Sequence, residues 1–237
     1  MNITVNTSNK TYTGKNITTS VTVKNGSKTL KNGTDYTVSY KNNKNTGKAT
    51  VTITGKGNYI GTITKTFNII PKKASISSVK NSSSKKAKIT WNKDTQATGY
   101  EVYISTAKVN SSYMKTTSNL SLRKSTSTSS KKLKTIPKGA KVKIIKRNVK
   151  KTGKYYWYKV TYNGTTGYVS SRYLGKVYKE GSYSKIKTVT SNKTTTYTKG
   201  SLKKKNQYTF KIRSYKTIDG KKVYGSYSNV KWVTIKK

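Results

Sequence analysis

The chain has 237 residues, with 51 Lys and Arg against five Asp and Glu and a formal charge of +46, a field that repels cations and draws polyanions in a strongly salt-dependent way. Cys and His are both absent, which excludes disulfide frameworks and thiolate metal sites and removes the usual general base and thiol nucleophile. No stretch approaches the about 20 apolar residues of a membrane-spanning helix. The 20 Tyr, 3 Trp and 17 Gly, with only two Pro, suit several small, turn-rich β domains with thin cores. Met1-Asn2-Ile3-Thr4 begins directly in strand-like sequence, so no export leader is expected at this end.

Residues 1–70 alternate as strands do in Ile3-Thr4-Val5, Val21-Thr22-Val23, Tyr36–Tyr40, Ala49–Ile53 and Ile63–Ile69. Asn25-Gly26, Asn32-Gly33, Lys41–Gly47 and Gly55–Asn58 supply the turns between them. Thr at alternate positions gives a solvated face, and Val, Ile and Tyr give a buried one. The runs Tyr12-Thr13-Gly14-Lys15, Gly33-Thr34-Asp35-Tyr36 and Gly55–Gly61 resemble Ig-like bacterial surface repeats. That resemblance implies a spacer or adhesin repeat. Pro71-Lys72-Lys73 reads as a linker, because Pro prevents the strand from continuing.

The next segment opens with Ile76–Val79, Ala87-Lys88-Ile89-Thr90-Trp91 and Gly99–Ile104. These runs resemble the first three strands of a fibronectin type III domain, with Trp91 in the place of that family's core tryptophan. The matching second half waits until residue 182. There Tyr183–Val189, Thr194–Thr198, Leu202, Tyr208–Tyr215 and Ser226–Val230 resemble the remaining strands, Tyr208 again a core residue. One sandwich built from 73–110 and 177–237 accounts for both pieces, since two half-domains would each expose open sheet edges. Such an interruption requires an inserted unit whose ends lie close together.

Residues 111–176 form that insert, with 17 Lys and Arg and no Asp or Glu. Asn119–Arg123, Thr135–Ile144, Trp157–Val160 and Gly167-Tyr168-Val169 through Tyr173-Leu174 resemble, in order and spacing, the strands of a bacterial SH3 domain. That family usually has Gly-Pro after the opening Arg-Ser pair, whereas Lys124-Ser125-Thr126 follow Arg123 here. The departure changes the first loop, which often borders the binding groove in that family.

The candidate ligand residues are Arg123, Tyr155, Tyr156, Trp157, Tyr168 and Tyr173. In a regular strand Tyr155 and Trp157 face one way and Tyr156 and Tyr158 the other, so half of these rings lie outside the barrel or in a groove. Rings beside Lys suit peptide or glycan stacking, as the resemblance to wall-targeting SH3 domains implies. The competing reading places Trp157, Tyr168 and Val160 in the barrel's own core. The carboxylates Asp35, Asp94, Glu101, Glu180 and Asp219 are scattered and read as strand-end and turn residues that balance charge. A Lys–Asn cross-link promoted by Asp35 is weighed against a simple exposed turn, and the turn is preferred. Arg is rare beside Lys, which argues against base-specific or bidentate phosphate recognition.

The expectation is therefore an all-β protein of two β-sandwiches, Ig-like (1–70) and fibronectin type III-like (73–110 with 177–237), with an SH3-like barrel (111–176) inserted in the second. It is expected to be non-enzymatic, without cofactor or metal, and to bind the bacterial cell wall through peptidoglycan or a teichoic acid-like polyanion at an extracellular or cell-surface location. The alternatives are a structural protein of a phage particle and a charge-driven, nonspecific nucleic-acid binder.

Overall fold

Alternating Thr and Val with Gly turns gives the all-β fold. In the computed structural model, which describes residues 2–236, every regular element is a strand apart from one 3-10 turn. Met1 and Lys237, at the ends of the strand-like opening and of the C-terminal segment, lie outside the described residues. Among the described residues no helix is long and apolar enough to cross a membrane.

The first seven strands are β1 (Asn2–Val5), β2 (Lys10–Thr11), β3 (Val21–Asn25), β4 (Lys28–Thr29), β5 (Tyr36–Lys41), β6 (Gly47–Gly55) and β7 (Thr62–Ile70). They form two sheets, β1-β3-β4 and β2-β7-β6-β5. The Asn25-Gly26 turn joins β3 to β4 with Gly26 at φ 59°, a conformation Gly adopts without penalty. Val23 and Leu30 from one sheet meet Tyr36, Val51 and Ile53 from the other, while Ala49, Phe67 and Ile69 bury a second cluster with Tyr12 and Ile17. The period-2 pattern thus puts each strand's apolar residues between the sheets.

Pro71 ends β7, and the segment after it is held rather than free. Ser214 donates its hydroxyl to the Lys72 carbonyl at 3.2 Å, and Ala74 N–H donates to the Ser226 carbonyl at 3.4 Å. Thr46 N–H donates to Gln96 Oε1 at 3.1 Å, and Lys48 pairs with Asp219.

The chain continues through β8 (Ile76–Ser83), β9 (Lys86–Trp91) and β10 (Gly99–Thr106). It then enters a separate compact unit, Thr106–Gly181, made of β11 (Lys108–Thr116), β12 (Leu120–Arg123), β13 (Lys132–Ile136), β14 (Lys141–Thr152), β15 (Tyr155–Tyr162), β16 (Thr165–Ser170), the 3-10 turn Ser171–Tyr173 and β17 (Leu174–Lys179). Its seven strands follow the order β13-β12-β16-β15-β14-β11-β17. The sheet bends around one small core of Leu120, Leu122, Ile136, Val142, Val160 and Val169. Its first and last strands, β11 and β17, pair antiparallel, with Lys108 opposite Lys179 and Thr116 opposite Leu174, so the ends of the unit leave side by side.

The second sandwich is completed by β18 (Ser184–Val189), β19 (Thr196–Lys199), β20 (Gln207–Ile218), β21 (Lys221–Tyr224) and β22 (Lys231–Thr234). Its sheets are β19-β9-β8 and β18-β10-β20-β21, with β22 also on β20. Trp91 and Tyr208 share one core with Tyr100, Phe210 and Ile212. The buried hydroxyls are satisfied: Tyr208 accepts from Lys203 N–H at 3.0 Å, and Tyr100 accepts from Asp94 N–H at 2.7 Å.

One carboxylate departs from the strand-end reading. Glu101 lies within β10 on the outer face of its sheet and is fully buried. It accepts hydrogen bonds from Tyr103 Oη at 2.6 Å and from Arg213 at 3.1 and 2.9 Å. Lys185 Nζ and Tyr224 Oη donate to its other oxygen at 3.2 and 3.3 Å. Strands β10 and β20 carry apolar side chains inward and this polar cluster outward, and Tyr103, Tyr224 and Tyr227 cover the Arg213 guanidinium. Asp35 has a local role, its carboxylate accepting from Lys31 N–H at 2.7 Å within a turn.

Candidate ligand-binding groove

The aromatic run of β15 meets the sheet's last ladder positions, and this decides where each ring goes. Val160 faces inward into the barrel core, and Tyr158 and Tyr162 pack against that core from the same side. Trp157 is opposite Ser170 across the β15–β16 ladder and therefore lies on the outer face, apart from the core cluster, although only 6% of it is exposed. Val160 belongs to that core cluster; Trp157 is buried as well but lies outside the cluster. Its indole N–H donates to Thr152 Oγ1 at 3.2 Å across the β14–β15 hairpin.

Two connected clefts, of about 200 and 220 Å³, open on this face and share Thr128, Trp157, Ser170 and Tyr173. One extends to Thr152, Tyr155, Tyr156 and Arg172; the other extends to Asn119, Leu120, Ser121 and Arg123. Of the six candidate residues, five line this groove: Arg123, Tyr155, Tyr156, Trp157 and Tyr173. Tyr168 does not; it stands opposite Lys159 on β15 and beside Arg123 on β12.

Tyr156 keeps its place in the β14–β15 ladder, opposite Lys151. The pairing of β15 with β16 runs from Tyr162 only as far as Trp157, and Tyr156 N–H donates instead to Ser171 Oγ at 3.0 Å. Beyond the end of that second ladder, Tyr156 lines the groove together with Tyr155 and Trp157.

The loop after β12 forms one wall. Arg123 donates from its guanidinium to the Ser130 carbonyl at 2.6 Å, Lys124 N–H donates to the Lys131 carbonyl at 2.9 Å, and Ser125 N–H donates to Ser130 Oγ at 2.9 Å. Arg123 is thus half-buried and fastens the loop while its side chain still borders the cleft. Arg172 supplies the opposite wall, its guanidinium 5.6 Å from the Tyr155 ring centre and 5.5 Å from that of Tyr173. Lys154 Nζ lies 5.6 Å from the Tyr155 ring on its own hairpin. Such contacts hold the rings upright and leave the groove positive.

Sequence reading missed Arg172, Thr128 and Thr152. The signal for Arg172 was its position between Ser171 and Tyr173 in a turn that ends the ladder. Thr128 sits in a Ser/Thr tract, Ser125–Ser130, whose composition says only that it is a loop. The groove offers aromatic faces, hydroxyls and two guanidiniums and no carboxylate. It can stack planar or sugar-ring groups and attract negative charge. Among the described residues, no group of three or more His, Cys, Asp or Glu is placed to hold a metal.

Residues 118–175 match the family model of the Bacterial SH3 domain, which spans β12 to the start of β17 and includes every groove residue named here. No curated protein and no solved structure matches the chain.

Proposed function

We propose that this protein is a non-enzymatic binding module for the bacterial cell wall, acting outside the cell or at its surface. The barrel is the contacting part, and its groove of Tyr155, Tyr156, Trp157, Tyr173, Arg123 and Arg172 receives peptidoglycan peptide or a segment of anionic wall polymer. The two sandwiches, Ig-like and fibronectin type III-like, act as spacers. The observation that carries this reading is the groove in which Tyr155, Tyr156, Trp157 and Tyr173 meet Arg123 and Arg172, inside a segment similar to bacterial SH3 domains. Weak binding at a single groove gains strength from the charge of the whole chain and from repetition along a polymer.

The test is co-sedimentation of the full chain with purified cell walls. Tyr155→Ala and Tyr156→Ala avoid the core cluster, which Tyr173 does not, so each should bind several-fold more weakly with unchanged near-UV circular dichroism. The loss of one stacked ring corresponds to about 1 kcal/mol, or roughly fivefold. Wild-type affinity in both variants would refute the groove as the contact.

A further inference from the structure

The first sandwich leaves the start of β7 uncovered. Among the described residues, β7 pairs with β6 along one side, and on the other side β2 meets it only at Ile69 and Ile70. Across the β6–β7 ladder Ile53 stands opposite Ile63, Val51 opposite Lys65 and Ala49 opposite Phe67. Residues directly opposed in a ladder share a face, and Ala49, Val51 and Ile53 are buried, so Ile63, Lys65, Phe67 and Ile69 form the inner row of β7. Phe67 and Ile69 are buried, whereas Ile63 is 40% exposed and Lys65 is exposed.

An apolar cavity of about 260 Å³ opens beside Ile63. Ile3 and Val23 line it from one sheet, Tyr36 and Ile53 from the other, and Ile60 stands at its rim, 89% exposed. The β6–β7 loop that carries Ile60 is an ordered turn: Gly55 N–H donates to the Gly61 carbonyl at 2.9 Å and Tyr59 N–H to the Lys56 carbonyl at 3.2 Å. The Thr62 hydroxyl meets that of Thr54 at 3.4 Å. The polar groups of the wall are thus tied to one another, while two large aliphatic side chains at the mouth remain in water. Exposed apolar surface that continues into a cavity marks a place for an apolar ligand.

We propose that this cavity takes the aliphatic chain of a single-chain amphiphile with an anionic head, of the fatty carboxylate class. Its volume exceeds the roughly 150 Å³ of an aliphatic-lined cavity that accepts benzene, so a chain has room. A partner strand fits less well, because an inward-facing charge on an open edge, here Lys65, works against strand addition. A bilayer would meet little beyond Ile60, and one small apolar group is a marginal anchor. The sign of the head follows from the charge of the domain. Residues 1–72 hold 11 Lys and one acid, Asp35, whose carboxylate accepts from Lys31 N–H. Lys65 is the next inner-row residue after Ile63, about 7 Å along the strand. A lysine stem can extend an apolar wall while its ammonium meets a head group in water.

The probe is decanoate below its micelle concentration, titrated against the full chain and followed by NMR of isotope-labelled isoleucine methyl groups. Saturable shifts are expected at Ile3, Ile53, Ile60 and Ile63, with Ile89 and Ile212 of the second sandwich's core unmoved. Shifts spread evenly over all isoleucines would mean adsorption to a basic surface and would overturn the site. Octanoate, two methylenes shorter, should bind about tenfold more weakly. Ile60→Ala and Ile63→Ala, at the exposed mouth, should each weaken decanoate about threefold to fivefold; unchanged affinity in both would refute the cavity. Lys65→Gln should weaken decanoate about threefold and leave decanol, the neutral chain of equal length, unchanged; equal loss for both would refute the anionic head. Ile60-dependent binding to phosphatidylglycerol vesicles without saturable decanoate shifts would make the loop a bilayer anchor and overturn the proposal. Tyr155→Ala should leave the titration unchanged, so failure here is separable from failure of the groove.

Discussion

Glu101 has no exposed surface, yet it is held by Tyr103, Tyr224, Arg213 and Lys185, with Lys222 Nζ at 3.8 Å. Burial pushes its carboxyl up, but the hydrogen bonds from Tyr103, Arg213 and Lys185 outweigh that and hold it at about 2, below the ordinary 4.5. The same contact, together with burial, pushes the Tyr103 hydroxyl up. Above about pH 4.5 the carboxyl is ionised both folded and unfolded, and the cluster's stabilisation is complete. As pH falls from there towards 2, the unfolded chain takes up the proton first and the stabilisation is lost. A depression of that size corresponds to about 3 kcal/mol, so Glu101→Gln should destabilise the second sandwich by about that much at pH 7. The gap between variant and wild type in urea unfolding should close towards pH 2; a gap independent of pH would mean that packing, not charge, is lost. The role of Glu101 was illegible in sequence because its partners other than Tyr103 lie 84 to 123 residues further along the chain. Trp91 and Tyr208 were legible through the order and spacing of the strands that resemble a fibronectin type III domain, and they share one core. Trp157 sits in an equally regular run, and there the pattern could not say which of the two faces is the interior.

At the scale of elements, close approach of backbones sets what the strands tolerate. Gly167 on β16 sits where a Cβ would lie 2.7 Å from the Arg123 carbonyl and 2.9 Å from Leu122 Cγ, so β12 can meet β16 only across a residue with no side chain. Gly167→Ala should part these strands at a cost of about 2 kcal/mol and loosen the loop that Arg123 fastens. Hydrogen exchange should then rise through β12, β13 and β16 and stay unchanged in β8–β10; protection retained in β12 would disprove the account. Gly225 makes a comparable approach to the segment after Pro71, a Cβ there falling 2.6 Å from the Pro71 carbonyl. Gly225→Ala should therefore increase proteolysis between β7 and β8, where the wild-type segment is held by hydrogen bonds from Ser214 and to Ser226. The sequence marked both places with Gly and Pro, and the strands around them were readable from turn chemistry. What it could not mark was tertiary contact: Pro71-Lys72-Lys73 has linker composition, and only Ser214, Ser226 and Gly225, far along the chain, make it a fixed joint. The Ser/Thr tract 125–130 is similar, its wall-forming shape coming from the Arg123 guanidinium on the Ser130 carbonyl.

Across the whole molecule the proposed wall binding would draw on two distinct contributions, the charge of Lys and Arg and the rings of the groove, and salt separates them. A charge of +46 spread over all segments attracts any polyanion and releases its counterions, so affinity for cell walls should fall steeply as salt rises. Ring stacking in the groove carries no such dependence, because it exchanges apolar surface for water without displacing ions. A plot of log affinity against log salt for Tyr156→Ala should therefore run parallel to that of the wild type, displaced downward by the same factor at every concentration. Lys146→Ala/Lys150→Ala/Lys151→Ala, which removes charge from exposed positions on β14, should instead make the line shallower and bring the two proteins together at high salt, where the remaining binding belongs to the groove. If Tyr156→Ala changed the slope and left the high-salt intercept alone, the rings would be serving only to position Lys and Arg, as the contacts of Arg172 with Tyr155 and Tyr173 allow. The wall contact would then be electrostatic throughout, and nothing in it would distinguish a wall polymer from any other polyanion.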